Sequence, residues 1–450
     1  MIYTITKTND RVIPGAIPCS IEMLRKFILF NQDIGVDLET SSLDAMSGKI
    51  LTIAFGNSVD QIIVEYSSDL NNFLIEIFSY PDNTYVIQNA KFDIKFLLYH
   101  VGVVPRRVFD TMLAEQVLTM GLNSPANLEF LTKKYLDESL DKKIVTKIRT
   151  GITDLGVLKY TADDVRVLVP IKEKQQREIY ANKLSKALDV ENKFVKALAY
   201  IELSGIYLDR DLWEEKCVQD DINLATQESL LNEWVLKNAS KYNFGDLATA
   251  QLNLFNPEKK CNILWSSPKQ VISLFNIIGI DTKTVDTETG ELKDSVEEGV
   301  ILYQAQKFDI IPIYLQYKAY AKVVSTYGRN VYKHISPITG RVHTKFRQLV
   351  STGRLSSGGK DKKAGEEFIN LQNIPADHTR SCFRAMSGNK LINADYKGQE
   401  QVIFANRCLD SKLLEFYDKN LGDMHKIIVH IKLGEFREYP KRTILSQARA

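Results

Sequence analysis

No run of about 18 or more apolar residues occurs anywhere in the chain, so no membrane-spanning helix is expected. The stretch Met1 to Ile13 lacks the basic-then-apolar layout of a secretory signal. Cysteine is sparse. The five (Cys19, Cys217, Cys261, Cys382 and Cys408) lie far apart, are odd in number and form no Cys-x-x-Cys pair. That argues against a disulfide framework or a structural zinc, and a reducing cytoplasm fits best. The six histidines form no His-x-His or His-x-x-x-His cluster. Any bound metal would therefore draw on carboxylates, the oxygen donors of hard Mg²⁺ or Mn²⁺. Single-sign charge is also missing from the total, a formal net of +2, which says little about partners by itself.

The composition is that of a globular chain, 44% hydrophobic and 25% charged, and 450 residues allow roughly three domains. Charge is uneven locally. Ile313 to Lys363 holds eleven Lys/Arg against one acid, Asp361, a stripe that can track phosphates or simply be solvated.

Residues 1 to about 180 alternate short apolar runs with helical stretches. Ile34 to Leu38, Ile50 to Phe55, Gln61 to Tyr66 and Tyr85 to Ile87 read as strands. Asn71 to Phe78 and Phe92 to His100 read as helices, giving one α/β domain on a mixed sheet. From Tyr160 to about Leu236 the pattern is helical, with a break marked by Gly205 and Asp209. Ser267-Pro268 caps a predicted helix from Lys269 to Ile277. Thr282 to Gly299 reads as a polar loop followed by a short helix, and Asp309 to Tyr332 as a long helix. Gly358 to Glu367 reads as a flexible charged loop, Leu391 to Asp395 as a strand ending on a carboxylate, and a helix is expected from Glu400.

Two constellations carry chemistry. In the first, Asp37 and Glu39 stand two apart on a predicted strand, so both carboxylates share one face. Asp93 opens a helix, and Tyr160 and Asp164, four apart, share a helix face. Four converging carboxylates could hold two divalent ions that clamp a phosphodiester, with the Tyr160 hydroxyl orienting water. In the second, Ser351-Thr352-Gly353-Arg354-Leu355-Ser356-Ser357 leads to Asn370-Leu371-Gln372-Asn373-Ile374-Pro375, then to Asp395-Tyr396-Lys397-Gly398-Gln399-Glu400. Arg354 could reach a phosphate or a minor-groove acceptor. Asp395 at a strand end could hold Mg²⁺ and a triphosphate.

In order, Val36-Asp37-Leu38-Glu39-Thr40, Gln88-Asn89-Ala90-Lys91-Phe92-Asp93, Phe109-Asp110-Thr111 and Tyr160-Thr161-Ala162-Asp163-Asp164 resemble the motifs of DnaQ-like proofreading exonucleases. The resemblance implies a ribonuclease-H-like fold and hydrolysis from a 3′ end, with Asp37, Glu39, Asp93 and Asp164 as metal ligands and Tyr160 positioning the water. Asn89 is either structural or a substrate contact. Thr352-Gly353-Arg354-Leu355-Ser356-Ser357, Asn370 to Pro375 and Asp395…Glu400 resemble family A (DNA polymerase I-like) polymerases, as do Gly340 to Thr344, Ile201 to Asp209 and Ser267 to Val271.

That second resemblance implies a helical thumb over 183–340 after an exonuclease domain over 1–182. An incomplete palm and the start of fingers would follow over 341–450. It implies that Asp395 binds the catalytic metals, two ions per site, and that Glu400 is a steric gate against the ribose 2′-hydroxyl. Arg354, Asn370, Gln372 and Asn373 would contact DNA, while Arg380, Tyr396 and His425 would contact the incoming nucleotide. Partners would be primer-template, single-stranded 3′ ends and dNTPs. Lys397-Gly398-Gln399 replaces the commoner Ser-Gln-Ile between the two acids. The family's Arg-x-x-x-Lys-x-x-x-x-x-x-Tyr-Gly fingers pattern and its His-Asp-Glu turn do not occur. The expectation is a replication polymerase with proofreading whose synthesis needs a second polypeptide. The alternative is a stand-alone 3′-5′ exonuclease using a degenerate polymerase module as a DNA-binding platform. A non-catalytic nucleic-acid binder is disfavoured by the intact acids.

Overall fold

The computed structural model describes residues 1–7, 15–122, 124–140, 155–253, 256–286, 289–361, 366–396 and 398–418. One compact unit runs from Met1 to Gly388, and a second begins at Asn389.

The first unit opens on a seven-stranded sheet. Its strands are β1 (Ile2–Ile5), β2 (Ile17–Pro18), β3 (Asp33–Thr40), β4 (Ile50–Gly56), β5 (Gln61–Glu65), β6 (Thr84–Ile87) and β7 (Val108–Asp110). Their order across the sheet is β2-β1-β5-β4-β3-β6-β7. The β3–β4 and β4–β5 pairs are antiparallel, and β3–β6, β6–β7 and β1–β5 are parallel. The mixed sheet and its four expected strands are present; β1, β2 and β7 complete it.

Helices cover both faces. Around β3 lie α1 (Ile21–Phe30), α2 (Asn71–Phe78), α3 (Ala90–Phe96), α4 (Thr111–Leu118), α5 (Leu128–Leu136) and the long α6 (Leu155–Ala181). Strand alternation splits the core in two. Val36, Leu38, Ile53 and Phe55 pack into one cluster with Leu24, Phe78 and Phe96. Ala54, Ile63 and Val86 pack into another with Leu158, Val165 and Leu168 of α6. Asp37 and Glu39, out of phase with Val36 and Leu38, therefore belong to the face that α6 covers. The helix comes very close there. A Cβ on Gly35 would lie 2.6 Å from the Val165 carbonyl oxygen, and one on Gly56 2.7 Å from Val165 Cγ2. Two glycines on adjacent strands let α6 bring its carboxylate down to the sheet.

The helical continuation comprises α7 (Ser185–Ser204), α8 (Arg210–Asn238), α9 (Pro268–Ile278) and α10 (Ile310–Tyr327). The break falls at Gly205 to Asp209, where Asp209 caps α8 by accepting from Leu212 N. Pro268 takes the first position of α9 behind Ser267, as the sequence suggests. A further core gathers Phe275, Tyr314 and Leu231 from these helices with Trp265 from the turn before α9.

Several expectations are corrected. The helix expected over Phe92 to His100 is present but starts earlier, at Ala90, and winds more widely over Leu97–Val101. The long helix from Asp309 stops at Tyr327, before Gly328, and Arg329–His334 winds more tightly. Thr282 to Gly299 contains a hairpin, Lys283–Val285 against Leu292–Asp294, as well as a short helix. Gly358 to Glu367 is not all loop, because Gly359–Asp361 pairs with Glu366–Phe368.

In the second unit, the expected strand Leu391 to Asp395 does not form. A strand needs a neighbour to take its backbone hydrogen bonds, and none pairs with it among the described residues. The expected helix is present as Gln399–Cys408, followed by Ser411–Asp418. His425 lies outside the described residues, as does Lys397.

Candidate active site

Asp37, Glu39 and Asp164 each present a carboxylate oxygen, and these oxygens lie within 4.8 Å of one another. Two come from alternate positions of β3 and the third from α6. The register shift between Glu39 and Thr40 ends regular pairing of β3 with β4 directly after the second acid. Three carboxylates this close repel one another. Burial, aided by Asp37 and Asp164, pushes the Glu39 carboxyl up to about 9. Tyr160, one helical turn before Asp164, sits in the same acid environment. Burial first, then Asp164, Glu39 and Asp37, keep its phenol protonated well above the usual range, with its hydroxyl bonded to Asp164.

Asp93 does not join the group of three. It is 2% exposed and accepts the Leu38 N–H at 3.1 Å. Burial and then the neighbouring Asp37 raise it well above the usual carboxylate range. The structure thus brings three of the four expected ligands together and leaves the fourth beside Asp37.

Two residues whose roles were not read from sequence hold Asp93 in place. Asn89 takes a left-handed conformation, φ 59°, at the strand-to-helix turn and makes no side-chain cap. The cap comes from Asp110 instead. Its buried carboxylate accepts from Asn89 N and Ala90 N at the start of α3, and from Met112 N and Leu113 N at the start of α4. One carboxylate ties together the first turns of two helices. Desolvation pushes it up to about 6 against those four bonds.

The second residue is Glu202 on α7, with its side chain 3% exposed. It meets Lys91 Nζ at 2.6 Å and Lys95 Nζ at 2.9 Å. Lys91 and Lys95, four apart, share one face of α3, and Asp93 midway between them lies about 200° round the helix. One face of α3 is therefore clamped by Glu202 while the other offers Asp93 to β3. Glu202 also accepts the Phe346 N–H at 2.8 Å, and Lys91 donates to the Phe346 carbonyl. The segment leading to Arg354 is anchored to the same node.

Residues 20–180 match the family model described as 3′-5′ exonuclease, and residues 236–439 match that of DNA polymerase family A. An exonuclease module and a DNA polymerase family A module are thus matched in that order along the chain.

Among relatives of this chain are DNA polymerase I of Pseudomonas aeruginosa, 29% identical over 87% of the chain and 42% of the relative, and DNA polymerase I of Borreliella burgdorferi, 26% identical over 87% and 41%. The DNA polymerase of Escherichia phage T5 is 25% identical over 90% of the chain and 49% of its own length. The chain thus spans less than half the length of these relatives. In fold it resembles the POL domain of Pol1 from M. smegmatis, solved in complex with DNA primer-template and dNTP. That similarity has a TM-score of 0.69 and 18% identity, and covers 95% of this chain and 69% of that one.

Arg354 is exposed and follows the turn at Ser351–Thr352. The Asn370 and Gln372 amides are spent within the protein. Asn370 Oδ1 accepts from Ser357 Oγ at 2.9 Å, Gln372 Oε1 accepts from Ser357 N at 2.7 Å, and Gln372 Nε2 donates to the Leu355 carbonyl at 3.1 Å. They shape the loop around Arg354. Asn373 is exposed, and its carbonyl accepts from Tyr327 at 2.7 Å. Arg380 is exposed and donates to the Ile374 carbonyl at 2.8 Å. Asp395, Tyr396 and Glu400 are exposed in the second unit. The basic stripe is partly consumed in structure, since Arg329 pairs with Glu214 and Asp221, and Lys333 approaches Glu367. Among the described residues no helix is long and apolar enough to cross a membrane.

The raised Glu39 carboxyl sets a pH dependence for the metal-free protein. Folded, it keeps a proton that the unfolded chain releases in the ordinary carboxylate range. Stability from this group is therefore present at low pH and is lost as pH rises through about 9. Thermal melts in EDTA should show Glu39→Gln gaining stability over the wild type at pH 8 but not at pH 4. Added Mg²⁺ should raise the wild-type melting temperature more at pH 8 than at pH 5.

Proposed function

We propose that this chain hydrolyses DNA from the 3′ end as the proofreading half of a family A replication polymerase, acting in the cytoplasm of a bacterial or phage-infected cell. The meeting of Asp37, Glu39 and Asp164 within 4.8 Å, with Asp93 packed behind, carries the reading. A set of hard oxygen donors at this spacing, mutually repelling without a cation, fits Mg²⁺ or Mn²⁺. Two ions held there by Asp37, Glu39, Asp93 and Asp164 would supply Lewis acidity and charge neutralisation to a phosphodiester. The chain's own residues do the rest. Tyr160, kept protonated, offers its hydroxyl to orient a water, and Glu202 and Asp110 hold the helix that bears Asp93. The family match over both stretches supports the substrate, a single-stranded 3′ end.

For the polymerase part we assign primer-template contact to Arg354 and Asn373, with Asn370 and Gln372 shaping that loop. Nucleotide contact falls to Arg380, Tyr396 and His425, the sugar gate to Glu400, and metal binding, two ions in that site also, to Asp395. Boundaries near 182 and 340 separate the exonuclease, thumb and palm portions. The sequence holds no His-Asp-Glu turn to supply a second palm carboxylate. These 450 residues by themselves are therefore expected not to extend a primer.

The test uses 5′-labelled single-stranded DNA. With Mg²⁺ the products should be a ladder shortening from the 3′ end, and with EDTA none. Full-length DNA after prolonged incubation with Mg²⁺ would refute the reading.

A further inference from the structure

A cavity of about 320 Å³ lies between β6–β7 and the helices α6 and α7. Lys172, on its wall, is eight residues along α6 from Asp164, about 12 Å at the helical rise. It is a place distinct from the acid cluster. Five cations line it, Arg106, Arg107, Lys172, Lys193 and Lys196, against a single acid, Asp189.

The pairing leaves a surplus. Lys172 is matched by Asp33 at 2.5 Å, and Lys193 by Asp189 at 2.7 Å. Arg106, Arg107 and Lys196 have no carboxylate partner among the described residues. Lys196 is partly withdrawn from water, and its ammonium donates to the Arg106 carbonyl at 3.0 Å. Burial, and then the neighbouring Lys193, lower its pKa, the response of a cation held where charge is poorly compensated. A larger cavity of about 620 Å³ shows the contrast, because its Lys95 and Lys333 meet Glu202 and Glu367 on the same wall.

Two arginines and a lysine on one concave wall suit a tetrahedral oxyanion, which a guanidinium grips with two parallel bonds and an ammonium meets as a point charge. Apolar Phe109, Ile179 and Leu188 on the same wall lower the local dielectric and strengthen such contacts. The volume suits a mononucleotide, at the lower end of the range for small-ligand pockets. We propose that Arg106, Arg107 and Lys196 form a binding site for the phosphate of a nucleotide, either free or within a DNA strand. The site does not depend on the exonuclease reading.

The test is equilibrium binding in EDTA, which keeps divalent cations out of the acid cluster. The probes are dAMP and inorganic diphosphate by calorimetry, and a fluorescent ten-nucleotide DNA by anisotropy. Affinity for at least one probe should fall about ten-fold or more in Arg106→Ala/Arg107→Ala/Lys196→Ala. It should stay unchanged in Lys283→Ala/Lys293→Ala, which removes two cations from a distant hairpin. Loss of dAMP or diphosphate binding identifies a free nucleotide as the source, and loss confined to the DNA probe identifies a strand. Arg106→Gln/Arg107→Gln, which keeps side-chain bulk, should reproduce the effect if the alanine variant melts early. Equal affinity of wild type and both site variants for every probe, or equal weakening in the lysine control, would overturn the proposal.

Discussion

Replacing Asp37 and Glu39 together by alanine is expected to abolish divalent-cation-dependent shortening of DNA 3′ ends, a loss of at least about 1,000-fold. Two of the three oxygens that meet within 4.8 Å disappear, leaving Asp164 alone from that group. Each 1.4 kcal/mol of lost transition-state stabilisation is about ten-fold in rate, and a Lewis acid at a phosphoryl oxygen supplies several. The fold should survive, because the change removes mutual repulsion rather than packing. Val36 and Leu38, which carry the strand's core contacts, are untouched. DNA affinity should persist through the basic regions and weaken with salt as counterion release requires. Time courses on labelled single strands, paired with anisotropy on the same oligonucleotide, separate the two effects. Undiminished degradation by the double variant would remove the assignment.

The second large effect is expected at Glu202. Truncation to alanine leaves Lys91 and Lys95, 18% and 13% exposed, facing each other without their shared counter-charge. Removing one partner from a buried ion pair costs about 3–5 kcal/mol. Urea unfolding of Glu202→Ala should show that loss. Removing the charges together by Lys91→Met/Lys95→Met/Glu202→Leu should recover most of it, since the penalty lies in the orphaned charge. The exonuclease turnover of Glu202→Ala should fall about ten-fold or more, with the KM for single strands changed much less. Glu202 touches no metal ligand directly and works through the roll of α3. A KM rise with unchanged turnover would mean instead that Glu202 serves substrate binding.

Why the acid pair was legible and its support was not follows from sequence distance. Asp37 and Glu39 declare themselves by a period of two, and Tyr160 and Asp164 by a spacing of four. Both are local rules, and both hold in the structure. Gly35 and Gly56 gave no local sign that α6 would pack on them, because Val165 is more than a hundred residues away. Glu202 sits 107 and 111 residues from its lysines and 144 from Phe346, so no window along the chain contains its function. Asp110 stood inside a recognisable Phe-Asp-Thr stretch, yet its task of capping two helices depends on β7 lying beside β6. The hairpins at Lys283–Asp294 and Gly359–Phe368 were hidden by polar, charged strands that lack alternation. Leu391 to Asp395 failed the opposite way: an apolar run reads as strand, but strand geometry needs a partner.

Mn²⁺ binding tests the central claim most directly, because it reads the carboxylate cluster without needing DNA or turnover. Electron paramagnetic resonance titration of the wild type should show saturable binding of Mn²⁺, and Asp37→Asn/Asp164→Asn should lose the component that this cluster contributes, leaving uptake at Asp395 unchanged, while melting at a similar temperature. Equal Mn²⁺ uptake by wild type and variant would contradict the account.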